Sequence, residues 1–306
     1  METFQLYKKR DFSALVNDTL QFFKLFWKNY FRNYIMINGA LLLIMVALYY
    51  FLFKDIFSNA FNPEAMRAGM MYGGNPMMYV GLMLVFMVVA IALGVTSMAF
   101  PMVYLNLLRT TGRDTFTASE ILDGIKQDAG RMILFFLATL FTLVPIAIIV
   151  LAIGVALSII VIGIPLLVLS LPTVMIWGTQ ALYVYLEEGC GFFEALGQGW
   201  RVTFTKYWHV VGSTIIIYIC VSIASGVFTM FPSFMMMSSI ITSGGKLTPM
   251  TMNTTTIVLY VIGMLVSFIA CNLLYVQQGL VYYSSQENAE NFQALFDIDT
   301  IGQNEE

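Results

Sequence analysis

Residues 132–185 read MILFFLATLFTLVPIAIIVLAIGVALSIIVIGIPLLVLSLPTVMIWGTQALYVY. This stretch contains no Asp, Glu, Lys, Arg or His, and as one helix it would be about 80 Å long. A hydrocarbon core of about 30 Å needs only about 20 apolar residues in a helix. The stretch therefore predicts two membrane-spanning helices joined by a turn. We expect the turn at Gly154, with Gly163 to Pro165 as the alternative.

Uncharged runs of similar length occur on both sides of this stretch. Backbone polar groups inside a membrane must pair internally, which a helix achieves within one segment. A membrane β-barrel would instead show alternating segments of about ten residues. The predicted fold class is all-α, a polytopic membrane protein with six transmembrane helices arranged as three helical hairpins. The predicted spans are residues 35–53, 78–108, 132–152, 155–185, 210–231 and 256–283, within a membrane domain at 35–283.

The composition of the 306-residue chain agrees with a membrane protein. Hydrophobic residues make up 59% and charged residues 11%, with a mean hydropathy of +0.80. Since a soluble domain carries roughly 25% charged residues, this chain could not cover a water-facing surface. A net charge of −3 and the lack of a long basic run argue against a nucleic-acid-binding protein.

Lys and Arg are distributed unequally between the two predicted sides of the membrane. The N-terminal segment and the connections 109–131 and 186–209 hold 12 of them, whereas the connections 54–77 and 232–255 hold 3. Positive charge near span ends favours the cytoplasmic side. We therefore expect both termini in the cytoplasm and the protein in the bacterial inner membrane.

The segments that precede the odd-numbered spans have the apolar period of amphipathic helices. Residues 1–34 predict a cytoplasmic interfacial helix, and Thr117 with Glu120 predicts a capping box that opens the second such segment. Helices rich in aromatic and basic residues suit the headgroup level, either as anchors or as sites for anionic lipid. The predicted membrane-interface residues are Phe22, Phe26, Trp27, Trp200, Trp208, Lys24, Lys28 and Arg32.

An internal repeat relates these segments. The first and third copies have Phe, Ala, Leu and Trp at the same relative positions. The middle copy begins in the same way, with Phe116 and Ala118, and has Arg131 at the position of the Trp. The repeated unit is therefore an interfacial helix, a span, an outer turn and a returning span. The matched positions are Phe12, Ala14, Leu15 and Trp27 with Phe193, Ala195, Leu196 and Trp208.

The stretch from Tyr185 to Gly212, YLEEGCGFFEALGQGWRVTFTKYWHVVG, carries a family resemblance. It resembles bacterial six-helix membrane proteins that include the membrane domain attached to some glycerophosphoryl diester phosphodiesterases. The resemblance implies a similar membrane fold. It does not imply the phosphodiesterase activity, which belongs to a separate soluble domain with paired histidines, whereas this chain has one histidine.

Residue sets that would carry enzymatic chemistry are sparse. His209 and Ser213 could touch on one helical face, but no acidic group is placed to orient the histidine, so a structural polar pair is favoured. Glu187 and Glu188 are expected to face water at a helix end, with cation binding or partner docking as the alternative. The Met-rich outer connections favour packing or partner contact over copper. We expect no enzyme activity, cofactor or metal.

Neutral polar residues inside the spans, such as Asn38, Thr96 and Gln180, favour contacts between helices over substrate binding. The acidic tail, residues 284–306, is expected to be solvated or to dock on a partner. Membrane lipids and other membrane or cytoplasmic proteins are the expected partners. The favoured function is a structural or assembly subunit of a membrane complex, and the alternative is a transporter or binder of a neutral or lipid-like substrate. The candidate docking residues are Phe292, Leu295, Phe296 and Ile298.

Overall fold

A computed structural model of the protein describes residues 4–59, 76–158, 163–242 and 254–290. Every regular element in these ranges is an α-helix, as the sequence predicts. The helices are α1 (Phe12–Asn59), α2 (Pro76–Thr111), α3 (Ala118–Ser158), α4 (Gly163–Glu187), α5 (Phe192–Thr205), α6 (Tyr207–Thr242) and α7 (Thr254–Glu290).

Six of the described helices are long and apolar enough to cross a membrane, which confirms the predicted number. The exception is α5, whose 14 residues are fewer than the roughly 20 that a span needs. Large apolar side chains such as Leu43 and Phe141 are exposed, as expected where lipid replaces water. The candidate spans are Phe12–Leu52, Met77–Thr111, Ala118–Ser158, Gly163–Glu187, Tyr207–Phe234 and Ile257–Ala289.

Two of the predicted interfacial segments are continuous with the spans that follow them. Helix α1 includes the N-terminal segment from Phe12 onward together with the first predicted span, and α3 likewise begins at Ala118. No proline interrupts α1, so its hydrogen-bond ladder has no chemical reason to break near residue 34. Only α5 is a separate helix.

The turn between the third and fourth spans differs from the preferred position. Gly154 lies inside α3, which ends at Ser158, and α4 begins at Gly163, so the turn at Gly154 is wrong and the alternative is nearer. A Cβ added to Gly154 would clash with the Leu167 side chain, and one added to Gly163 would clash with the Gly154 carbonyl oxygen. These glycines therefore permit close helix packing, a common use of small residues in membrane helices.

The chain divides into two compact units, and the first comprises Met1–Asn33, Met98–Tyr218 and Leu273–Glu306. Its core includes a cluster of aromatic rings. Tyr30 packs edge-on against Phe100 and Tyr104, with ring centroids 4.9 Å and 5.0 Å apart. Phe22 joins the cluster through Tyr104, and Phe116 also packs edge-on against Tyr104, with ring centroids 5.0 Å apart. The cluster thus joins α1, α2 and the start of α3.

Hydrogen bonds fix the start of α3 within this unit. The Asn33 amide donates to the Phe116 carbonyl at 2.8 Å, and the Phe116 N–H donates to Asn29 Oδ1 at 3.1 Å. The next residue begins the predicted capping box: the Thr117 N–H donates to Glu120 Oε2 at 2.8 Å and the Glu120 N–H donates to Thr117 Oγ1 at 3.3 Å. The reciprocal pair confirms the prediction.

The second unit comprises Tyr34–Ser97 and Ile219–Asn272. Polar side chains join α1 to α2 here: Thr96 Oγ1 donates to Asn38 Oδ1 at 2.6 Å, and the Tyr34 hydroxyl lies 3.0 Å from Ser97 Oγ. A Cβ on Gly263 of α7 would come within 2.8 Å of a side chain of α6, so these helices also pack closely. The contacts agree with a role for neutral polar and small residues in holding helices together.

Candidate functional site

A cavity of about 900 Å³ lies within the first unit. Its walls come from the N-terminal segment, the start of α1, the ends of α2 and α4, helix α5, the start of α6 and the last turns of α7. The lining includes four cationic side chains and two carboxylates. The cavity is therefore a charged chamber within the size range of small-molecule sites.

Helix α5 is held against α4 by a close backbone approach. A Cβ added to Gly199 would lie 2.6 Å from the Ala181 nitrogen and 2.8 Å from its Cα, so only glycine fits this contact. The Trp177 indole N–H also donates to the Leu196 carbonyl at 2.8 Å. The two contacts fix the register of α5 and place Arg201 on the cavity wall.

The turn between α4 and α5 requires a left-handed residue. Gly189 has a φ of 68°, which glycine adopts without steric cost. Arg131 of α3 donates to the Leu186 carbonyl at 3.2 Å and to the Tyr185 carbonyl, so two orphan acceptors at the end of α4 are satisfied. These contacts place Glu187 at the cavity.

The N-terminal segment forms another wall around a buried arginine. The Arg10 Nε donates to Asp18 Oδ2 at 2.8 Å, and Nη1 donates to the Leu6 carbonyl at 2.7 Å. The Arg10 backbone N–H donates to Ser284 Oγ of α7 at 3.0 Å. Burial lowers the pKa of Arg10 from its ordinary value, and the Asp18 carboxylate opposes that shift. Because Arg10 is held internally, its role here is to secure the wall.

The two carboxylates of the cavity are engaged by neighbouring groups. Glu187 Oε2 lies 2.9 Å from Arg109 Nη2, and the Glu187 side chain is only 12% exposed. Its expected position in open water is therefore wrong, because α2 supplies a cation that the sequence does not place beside it. Glu188 is exposed, and its Oε1 accepts from Gln286 Nε2 at 3.0 Å.

The remaining basic side chains stand at the exposed part of the cavity. Arg201, Lys206 and His209 all line it and all are exposed. Lys206 Nζ donates to Asn288 Oδ1 at 3.1 Å. Among the described residues, the side chains of Arg201 and His209 have no hydrogen-bond or ion-pair partner. We call these three residues the basic wall.

Part of the cavity lining is apolar. Val184, Val210 and Val281 belong to it, although each is at most 5% exposed. Each lies three or four residues from a buried polar group on its own helix. Those groups form a network in which Gln180 Nε2 donates to Gln278 Oε1 (3.0 Å), Gln278 Nε2 to Thr214 Oγ1 (3.0 Å) and Gln277 Nε2 to Ser213 Oγ (2.9 Å).

The hydrogen bonds of Ser213 in this network test the predicted contact between His209 and Ser213. The Ser213 hydroxyl accepts from Gln277 and donates to the Val210 carbonyl at 3.1 Å, while His209 is exposed at the cavity. A histidine–serine contact is therefore not formed. Within the described residues no group of three or more His, Cys, Asp or Glu side chains could hold a metal ion.

The predicted membrane-interface residues separate into two sets. Phe22 and Phe26 are 0% and 6% exposed and belong to the aromatic core, which differs from their predicted position at the headgroups. The other six are exposed: Trp27 (53%), Trp200 (47%), Trp208 (68%), and the basic Lys24, Lys28 and Arg32.

Three of the four matched positions of the internal repeat have similar burial, and the fourth differs, since Ala14 is half-buried and Ala195 is fully buried. Leu15 and Leu196 are both buried, at 2% and 9% exposure, and Trp27 and Trp208 are both exposed. The cavity lining draws on both copies, since Leu15 and Arg201 belong to it. The proposed docking residues Phe292, Leu295, Phe296 and Ile298, and most of the Met-rich connections, lie outside the described residues.

No family model, curated protein or solved structure matches this chain. The resemblance to the membrane domain of glycerophosphoryl diester phosphodiesterases therefore stays a prediction. The sequence does not single out the cavity itself, because its walls come from residues as far apart as Tyr7 and Asn288. What the sequence does show is that the segments supplying these walls are rich in Lys and Arg.

Proposed function

We propose that this protein is a non-enzymatic, multi-pass protein of the bacterial inner membrane that binds a lipid-like ligand in the cavity of its first unit. The observation that carries the proposal is that the cavity lining combines apolar side chains, among them Val184, Val210 and Val281, with exposed basic side chains. An amphiphile has matching parts, since its chain favours apolar surface and its headgroup favours polar partners.

The proposed orientation places the cavity at the cytoplasmic side. The ends of α2 and α4 and the start of α6, which line the cavity, adjoin the segments that hold 12 of the 15 Lys and Arg residues. The distribution supports cytoplasmic termini and three hairpins. Exposed Trp27, Trp200 and Trp208 support a headgroup-level position for the segments that precede the odd-numbered spans.

The test is lipid retention by a variant whose cavity is partly filled. Thr205 lines the cavity and is exposed, so Thr205→Trp adds volume there without overpacking a buried core. Thr110→Trp is the matched control, because Thr110 is also exposed and its hydroxyl also donates to the carbonyl four residues earlier. Native mass spectrometry of the purified proteins would count the bound lipids.

We expect Thr205→Trp to lose lipid that the wild type and Thr110→Trp retain. Equal lipid content in all three proteins, with unchanged lipid identity, would contradict binding in the cavity.

The second candidate is the structural or assembly subunit of a membrane complex. It is favoured by the aromatic surface around α5, where Phe193 is 77% and Trp208 68% exposed, because aromatic side chains are common anchors in protein interfaces. Purification in mild detergent would test it. A stoichiometric co-purifying protein that is lost in Phe193→Ala would support this candidate, whereas a monodisperse single chain would oppose it.

A further inference from the structure

The charges of the cavity are unevenly compensated. Arg10 is paired with Asp18 at 2.8 Å, and Arg109 is paired with Glu187 at 2.9 Å. Glu188 accepts from the Gln286 amide. Among the described lining residues, the basic wall of Arg201, Lys206 and His209 is the part with no carboxylate bound to it. The uncompensated positive charge is therefore concentrated on α5 and the start of α6.

The donor set of the basic wall matches a phosphate group. A guanidinium presents paired N–H groups that bind phosphate oxygens in bidentate fashion, and an ammonium adds a compact charge. Arg201 and Lys206 supply one of each, and the His209 imidazole supplies a further ring N–H. Basic groups that lack a carboxylate partner and are exposed at the cavity gain most from an anionic ligand.

The cavity lined by the basic wall is larger than an inorganic ion requires. A volume of about 900 Å³ far exceeds a phosphate group, and the lining includes the apolar side chains of Val184, Val210 and Val281. A phosphate at the basic wall would leave its apolar substituent against these valines.

On the basis of the lipid-like ligand proposed above, we propose that the cavity recognises a phosphate-bearing headgroup, with Arg201 and Lys206 as its ion-pair partners and His209 as an additional donor. The ligand class is a phospholipid. The same chemistry would also bind a free phosphate ester, so the experiment separates the two sources.

The experiment uses the full chain in detergent after delipidation, with three defined probes. Dioleoyl phosphatidylglycerol and dioleoylglycerol share their acyl chains and differ in the phosphate-bearing headgroup, and glycerol 3-phosphate carries the phosphate without chains. The test variant is Arg201→Gln/Lys206→Gln. The control is Arg113→Gln/Lys126→Gln, which removes one Arg and one Lys from exposed positions outside the cavity lining.

We expect the wild type to bind phosphatidylglycerol at least about tenfold more tightly than dioleoylglycerol. The cavity variant should lose most of that preference while its dioleoylglycerol binding stays unchanged, and the control variant should keep it. Arg201→Lys, which keeps the charge but loses the bidentate fork, should fall between the wild type and the double variant.

The outcomes separate this inference from the function on which it rests. Equal binding of the two lipids, or equal losses in the cavity and control variants, would overturn phosphate recognition while lipid binding stands. Tight glycerol 3-phosphate binding without binding of either lipid would keep phosphate recognition and overturn the lipid. Binding of no probe, together with no effect of Thr205→Trp on retained lipid, would overturn both.

Discussion

Phe22 and Trp27 lie five residues apart on α1 and have opposite surroundings. Phe22 is fully buried, with ring contacts to Phe4 at 5.6 Å and Tyr30 at 5.7 Å, whereas Trp27 is 53% exposed. We expect Phe22→Ala to lower the free energy of unfolding by about 3–5 kcal/mol, the usual cost of removing a buried aromatic side chain. The melting temperature of the purified variant would measure it.

Trp27→Ala is the comparison for Phe22→Ala. We expect it to melt close to the wild type in detergent and to lose affinity for vesicles instead. A large loss of stability in Trp27→Ala and none in Phe22→Ala would reverse the assignment of the two side chains.

Arg10 forms a buried ion pair with Asp18 in the N-terminal segment. Its side chain is fully buried, and among the described residues its removal would leave the largely buried Asp18 with Lys8 as the remaining ion-pair partner, at 3.1 Å. We expect Arg10→Met to destabilise the first unit by about 3 kcal/mol, because breaking a buried ion pair strands one charge. Limited proteolysis and thermal melting would report the loss.

Two variants make the Arg10 result specific. Arg10→Met/Asp18→Leu should recover part of the stability, since no buried unpaired charge remains and Lys8 is exposed to solvent. Lys126→Met, which breaks the exposed pair with Asp123, should have little effect. If Arg10→Met melts like the wild type, the N-terminal segment does not secure the cavity wall.

Individual site residues were harder to predict from sequence than their chemical types. The apolar face that contains Phe22, Phe26 and Trp27 follows from helical spacing, but spacing does not say whether lipid or protein covers that face. Glu187 could be recognised as a carboxylate at a helix end. Its pairing with Arg109 depends on two helices meeting, which local sequence does not encode.

At the scale of elements, the contact of α5 with α4 sets the position of the basic wall. Gly199→Ala would bring a Cβ within 2.8 Å of two backbone atoms of Ala181, and backbone cannot yield as a flexible side chain does. We expect this variant to displace α5, to lower the melting temperature and to weaken ligand binding in the cavity.

Gly197→Ala is the matched control on the same helix. A Cβ at this position meets no atom within 4 Å, so the substitution should be neutral or stabilising by up to about 1 kcal/mol through helix propensity. Similar losses in both variants would mean that general disturbance of α5, rather than the close approach at Gly199, explains the effect.

Some features of the helices could be predicted from local sequence, and others could not. The number of spanning helices follows from uncharged length, and the capping box of Thr117 and Glu120 is a local signal. Gly154 was misleading because glycine serves close packing in membrane helices as well as turns. Helix α1 is continuous because no proline breaks it near residue 34. The amphipathic spacing of residues 1–34 instead suggested a separate interfacial helix.

For the whole molecule, the unequal distribution of Lys and Arg predicts its orientation. A reporter fused after residue 306 should report the cytoplasm, and reporters inserted near residues 75 or 245 should report the outer side. Alkaline phosphatase and green fluorescent protein fusions would distinguish the two compartments. A C-terminus outside the cytoplasm would mean either an inverted orientation or an odd number of spans, and in both cases it would contradict the proposed topology.

An experimental density map of the protein in nanodiscs made from bacterial inner-membrane lipids would show directly whether the cavity holds a lipid. We expect elongated density inside the cavity, with its polar end within hydrogen-bond distance of Arg201 or Lys206 and its apolar end against Val184, Val210 and Val281. A well-resolved cavity that holds only water, or one closed by its own side chains, would contradict ligand binding at this site.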